Sequence, residues 1–235
     1  MGAAACSVER PAPGLWVAQP TRGFRYAMDA VLLAAFAAEG GLPDAVVDAG
    51  AGSGVVGLLL ARAGAARVTL LDVRPEWRAA QEWSIAASGL AGRVEARTGD
   101  LRDWAAAPAP LVVMNPPYFS PAAGPVSPDP VRAAARSTLH GTLDALLAAL
   151  PRVGARVAVV LPAGLEDRAA GVLRAAGAPL RRAVRLPPAF VLLEASLGPP
   201  GPVDLRCWPL APGAPPPPEV RAWYASVGAG GGAVP

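Results

Sequence analysis

Apolar residues recur along this chain at two alternating periods. Residues 26–38 place Met28, Val31, Leu32, Ala35 and Phe36 at helical spacing, and Gly40-Gly41 follows as a stop, which predicts a helix. Ala45–Ala49 is a short apolar run with Asp48 near its end, the pattern of a strand buried on both faces. Gly50-Ala51-Gly52-Ser53-Gly54 predicts a turn into a helix over Val55–Ala63, closed by Gly64. Arg67–Asp72 predicts the next strand, and Pro75–Ser88 the next helix, with proline suited to its first turn. Strands are then predicted at Arg93–Thr98, Leu111–Met114 and Arg156–Leu161, and helices at Ser137–Leu150 and Leu165–Ala176.

Two closing strands, Arg182–Leu186 and Phe190–Ser196, leave no room for a helix between them, so they are expected to pair as an antiparallel edge. The alternation predicts an α/β fold: a doubly wound, mostly parallel, seven-stranded sheet with an antiparallel edge strand. Residues 1–198 are expected to form this domain. Residues 199–235 are expected to be a proline- and glycine-rich extension, partly disordered from Gly228 onward, with a strand at Val203–Trp208 and a short helix at Pro218–Ser226.

Composition narrows the class. Hydrophobic residues make up 53% and charged residues 17%, which excludes a disordered polar chain. The longest uncharged stretch, Trp104–Pro128, contains seven prolines and so predicts no membrane-spanning helix. The N-terminus has no apolar signal region, so a cytoplasmic protein is expected. Cys6 and Cys207 stand far apart and outside any Cys-x-x-Cys, so neither a metal site nor a disulfide framework is expected. The net charge of +3 is compatible with nucleic acid without requiring it. All 21 basic residues are arginine, and Asn115 is the only asparagine, as a strongly GC-rich genome would produce. Residues with AT-rich codons that persist are therefore informative. Two clusters, Phe24, Tyr26 and Met28, and Met114, Asn115, Tyr118 and Phe119, hold the only asparagine, two of three tyrosines, two of four phenylalanines and both internal methionines.

The glycine turn admits two readings. Gly52-Ser53-Gly54-Val55-Val56-Gly57 is a G-x-G-x-x-G, and Asp72 lies twenty residues after its first glycine, as in a dinucleotide site. Asp48-x-Gly50-x-Gly52-x-Gly54 equally fits a methyltransferase turn. Both place a carboxylate at the end of the next strand to accept two ribose hydroxyls, so Asp72 does not discriminate. A purely structural turn is the third possibility. Asn115-Pro116-Pro117-Tyr118 after the fourth strand separates these readings. The lone pair of an exocyclic amine on adenine, or of an amide, is delocalised. A side-chain oxygen from Asn115 and the Pro116 carbonyl form an acceptor pair that can pull on the two N–H bonds. Pro116 and Pro117 stiffen the turn, and Tyr118 offers a flat face to the base.

With these motifs the chain resembles the class I S-adenosylmethionine (SAM) methyltransferases that modify amino groups. The segment Gln19–Leu33, with Arg22-Gly23-Phe24-Arg25-Tyr26 and Asp29-Ala30-Val31-Leu32-Leu33, is similar to the N-terminal signature of the bacterial tRNA(Val) adenine-N6 methyltransferase family. The resemblance implies a Rossmann-like fold, SAM as cofactor and tRNA as partner. It implies that Asp72 binds the ribose and Asp100 the adenine amino group of SAM. It further implies that Gly50, Gly52 and Gly54, with Asp48 and Asn115, line the cofactor, and that Asp29 closes over its methionine end. Asn115, Pro116, Pro117 and Tyr118 are the expected catalytic residues.

One departure stands out: the family's Arg-His-Glu after this loop is replaced by Arg136-Ser137-Thr138, with the only histidine at His140. Glutamine N5 in a protein, or a small molecule, are the alternative acceptors. Arg22, Arg25, Arg132 and Arg136 flank the motifs as phosphate-contact candidates, against an ordinary solvated role. A monomer or weak dimer is expected, with no membrane partner.

Overall fold

A computed structural model of the chain describes residues 6–21, 25–116, 142–208 and 217–229. The strands are β1 (Cys6–Ala12), β2 (Leu15–Pro20), β3 (Ala45–Ala49), β4 (Arg67–Asp72), β5 (Val94–Thr98), β6 (Ala109–Met114), β7 (Gly154–Pro162), β8 (Leu180–Leu186), β9 (Phe190–Ser196) and β10 (Asp204–Cys207). The α-helices are α1 (Met28–Glu39), α2 (Val55–Ala63), α3 (Arg78–Ala87), α4 (Leu143–Val153), α5 (Glu166–Ala175) and α6 (Pro218–Ala229).

The main sheet has the order β10-β8-β9-β7-β6-β3-β4-β5. Only β9 runs against the rest, pairing antiparallel with both β7 and β8. The sheet therefore has eight strands rather than seven. The antiparallel strand is not its edge, because β8 lies outside β9 and β10 adds parallel to β8. The short β8–β9 link explains the antiparallel pairing, and the register Leu186↔Phe190 places it at that turn.

Alternation along the strands sets the layers. In β7, Ala158 and Val160 face one cluster, while Val157, Val159 and Leu161 face the other. The first cluster takes in α1 and α2, with Ile85 of α3. The second is formed by α4 and α5. A sheet covered on both faces needs near-continuous apolar strands at its centre, which is what β6 and β7 are.

The β1–β2 hairpin carries no clear sequence signal, since Pro11 and Pro13 interrupt β1 and its turn. Its register shifts between Glu9 and Ala12. It is held by long-range contacts instead: Ser84 Oγ accepts from the Ala18 amide and Ser88 Oγ from the Trp16 amide, both at 2.9 Å.

The late segments are built into the same body. Trp208, Val220 and Val227 are buried in the first cluster. The helix expected to end at Ser226 continues to Ala229, so the disorder expected from Gly228 onward does not begin there.

The C-terminal end of α1 is fastened by two arginines of the sheet. Arg156 donates to the carbonyls of Ala37, Gly40 and Gly41, and Arg182 to that of Phe36. Cations at the negative end of a helix dipole are favourable. Glu194 and Glu39 accept from Arg182, at 3.0 and 2.9 Å. This clamp sets the height of α1, and so of Asp29 at its other end, over the strand ends.

Candidate active site

Strand order reverses at β3, which has β4 on one side and β6 on the other. Ligands of open α/β sheets bind at the carboxyl ends of strands beside such a point. The β3–α2 turn is pinned to the end of β4: the Gly50 and Ala51 amides donate to the Leu71 carbonyl at 2.8 and 3.0 Å. The Gly52 amide donates to Asp72 Oδ2 at 2.8 Å, and Gln81 of α3 donates to the Gly52 carbonyl at 2.8 Å. Gly52 holds φ +53 and Gly54 φ +83, in the left-handed region that favours glycine. The last glycine of the pattern, Gly57, has a different reason: a Cβ there would run into Leu70 of β4. That position sets how closely α2 lies on the sheet.

Asp48 is 2% exposed and faces α2. Its Oδ2 accepts from the Gly57 amide at 2.8 Å, at the positive end of the helix. Burial pushes its pKa up to about 7; the Gly57 hydrogen bond opposes the shift and the Asp72 charge adds to it. Asp48 thus fastens the turn to the helix. Its contribution to the site passes through the shape of that turn.

Asp72, at the end of β4, is 4% exposed. Its Oδ1 accepts from the Arg74 amide at 2.9 Å and from Arg74 Nε at 3.2 Å. Arg74 Nη2 approaches Oδ2 at 3.5 Å, and its guanidinium lies 5.1 Å from the Trp77 ring centroid. Asp100, after β5, is held the same way: the Arg102 amide and Nε reach Oδ1, both at 2.9 Å, and Arg102 Nη2 pairs with Oδ2. Neither arginine was singled out from the sequence. The repeated Asp-x-Arg, at 72–74 and 100–102, was the available signal.

At the end of β6, Asn115 is half-buried and Pro116 buried. Asn115 Nδ2 donates to Asp29 Oδ2 at 3.0 Å. Asp29 is 7% exposed, and its Oδ1 accepts from the Ala30 amide at 2.9 Å in the first turn of α1. A carboxylate can only accept from the amide nitrogen, so this contact fixes which end of the Asn115 amide is which. The structure brings Asp29 and Asn115 together, and separately Asp48, Gly50, Gly52, Gly54 and Asp72. Pro117, Tyr118, Arg22, Arg132, Arg136 and His140 lie outside the described residues. Arg25 is described, and it pairs with Glu9 and donates to Ser7 Oγ at 2.8 Å. That pairing argues against reading it as a plain phosphate contact.

The residues fit a SAM-type ligand. The turn has no side chain at positions 50, 52 and 54. Asp72 holds a guanidinium at the strand end where a ribose diol would offer two donors, and Asp100 presents acceptors after β5. The fold is like that of the Rossmann-like SAM-dependent methyltransferases, and residues 28–137 match the family profile described as methyltransferase small domain.

Among proteins of known identity, the chain is similar to the tRNA1(Val) (adenine(37)-N6)-methyltransferase of Aeromonas salmonicida. The two are 41% identical over 130 residues, covering 52% of this chain and 53% of that protein. The chain spans about half the length of the curated relatives it matches. Among solved structures it resembles the hMettl16 catalytic domain in complex with MAT2A 3′UTR hairpin 1, with TM-score 0.59 and 17% identity over 82% of this chain and 78% of that one. It also resembles the magnesium protoporphyrin IX methyltransferase of Synechocystis PCC 6803 with bound SAM, with TM-score 0.53 and 18% identity over 73% and 78%. At such identities these structural likenesses speak to the fold.

Proposed function

We propose that the protein transfers a methyl group from SAM to the N6 amino nitrogen of an adenine in tRNA. The observation that carries this reading is the Asn115 amide at the end of β6, its nitrogen held by Asp29. The similarity to tRNA adenine-N6 methyltransferases supports it.

Bound SAM supplies an electrophilic methyl group. The turn at 50–54 accommodates its body, Asp72 accepts from the ribose hydroxyls, Asp100 accepts from its adenine amino group, and Asp29 with α1 closes over its methionine end. With its nitrogen committed to Asp29, the Asn115 amide presents its oxygen to one proton of the target amine. The Pro116 carbonyl takes the other. Together they draw the nitrogen lone pair out of conjugation without reorganising during the reaction. Tyr118, two residues beyond Pro116, supplies the stacking face for a base flipped from its stack.

Incubation with labelled SAM and total bacterial tRNA, followed by digestion and mass spectrometry of the nucleosides, tests the reading. N6-methyladenosine is the expected product. Label found only in protein would replace it with glutamine methylation, and label only in small molecules would replace the macromolecular acceptor altogether.

A further inference from the structure

β10 is the outermost strand of the main sheet, and among the described residues only β8 pairs with it. All four of its residues are exposed. Leu205 is 60% exposed and the preceding Val203 39%, and Cys207 is an exposed free thiol. A free edge offers a row of backbone donors and acceptors to another strand, and proteins ordinarily blunt such edges.

The residues along this edge are self-complementary. Side chains alternate between faces, so Val203, Leu205 and Cys207 share one face and Asp204 and Arg206 the other. Consider a second copy of β10 laid antiparallel about a two-fold axis through Leu205. Leu205 then meets Leu205 of the copy, Val203 meets its Cys207, and Asp204 meets its Arg206. One face of the seam is wholly apolar, and the other carries two reciprocal pairs of opposite charge. A shift by one residue destroys both features, because it sets Asp204 against Cys207 or Leu205, and Arg206 against Leu205 or Val203. The pattern therefore specifies one register.

Within one chain Arg206 contacts Asp204 at 2.7 Å and Glu39 at 2.5 Å, which holds the charged face in place before any partner arrives.

We propose that β10 is the seam of a homodimer in which two copies of this chain join their main sheets edge to edge, in the register centred on Leu205. The partner is a second copy because the complement of the strand is its own sequence read backwards. The contact is isologous and closes at two chains. The candidate active site at β3 and β6 lies four strands inward, roughly 20 Å away at normal strand spacing, so both clefts stay open.

Light scattering on the full chain tests the association. The expected mass is that of two chains at high concentration, falling to one on dilution, and Leu205→Lys is expected to hold the mass at one chain by opposing two like charges on the axis. Thermal unfolding of that variant at low concentration should match the wild type, which shows that the fold is intact. Register is tested by Val203→Cys under mild oxidation. The new thiol would face Cys207 of the other copy and give a covalent dimer, and Cys207→Ser added to it should abolish the link. A wild type that stays at one chain at all concentrations overturns the proposal. So does a dimer that survives Leu205→Lys, or one that Val203→Cys fails to cross-link.

Discussion

Asp29 Oδ2 accepts a hydrogen bond from Asn115 Nδ2 at 3.0 Å, joining the first turn of α1 to the end of β6 across 86 residues of sequence. It connects the two segments where AT-coded residues cluster in an otherwise GC-biased sequence. Its consequence is directional, because an amide held by its nitrogen keeps its oxygen pointed away from the carboxylate.

Asp29→Ala should therefore lower turnover by about 10²-fold, the scale of a misplaced reacting contact. Asp29→Asn keeps an oxygen acceptor for Nδ2 and should retain more activity than the alanine variant. Single-turnover rates, measured alongside SAM affinity on the same folded variants, check this. Equal rates in the two variants would show that Asp29 does not orient Asn115.

Asp72 and Arg74 make a second pair with opposite expected effects. Asp72→Ala should weaken SAM binding tenfold or more, since hydrogen bonds to a charged acceptor contribute roughly 1.5–3 kcal/mol each. Arg74→Ala removes the guanidinium that occupies the carboxylate and should tighten SAM binding while lowering the melting temperature of the free protein. Titration calorimetry and thermal denaturation measure the two effects. Weaker SAM binding in Arg74→Ala would make Arg74 a cofactor ligand rather than a competitor.

The raised pKa of Asp48 gives a pH dependence. Its carboxyl titrates near 7 when folded, against an ordinary value of 3.8. The folded state thus holds this proton more tightly than the unfolded chain does. The resulting stability is fully present below about pH 4 and is lost as pH rises to about 7. Asp48→Asn keeps an oxygen for the Gly57 amide and cannot ionise, so its stability should fall less than the wild type's between pH 4 and 7. Urea unfolding of both proteins at several pH values checks this. Identical pH profiles would mean that Asp48 is ionised throughout.

Gly57→Ala should destabilise the fold by about 1–3 kcal/mol, because a methyl group would overpack against Leu70 and Val68. Denaturant unfolding of the variant measures it.

Much of this architecture was legible in the chain. The strands β3, β4, β6 and β7 are apolar runs whose character follows from burial on both faces, and the helices between them end at glycines. The hairpin was not legible, because its strands are held by Ser84 of α3 and by Ser88 just beyond it, some 70 residues away, rather than by local pattern. The eighth strand was expected at Val203–Trp208, but its place outside β8 depends on a parallel pairing that no local signal records. In the candidate site, the motifs singled out Asp72 and Asn115, and the resemblance added Asp100. The partners Arg74, Arg102 and Gln81 stayed hidden because arginine and glutamine on a surface helix or loop ordinarily signify nothing. Asp48 was legible as part of the turn, whereas its orientation toward α2 rather than into the cleft is a property of the strand's pleat.

The most direct test of the central claim is single-turnover methyl transfer to tRNA by Asn115→Ala, with SAM affinity measured on the same preparation. Transfer should fall by about 10²–10³, the usual loss when one preorganised polar contact is removed, while SAM affinity and folding stay close to wild type. Transfer at the wild-type rate would contradict the account, even with SAM bound as described.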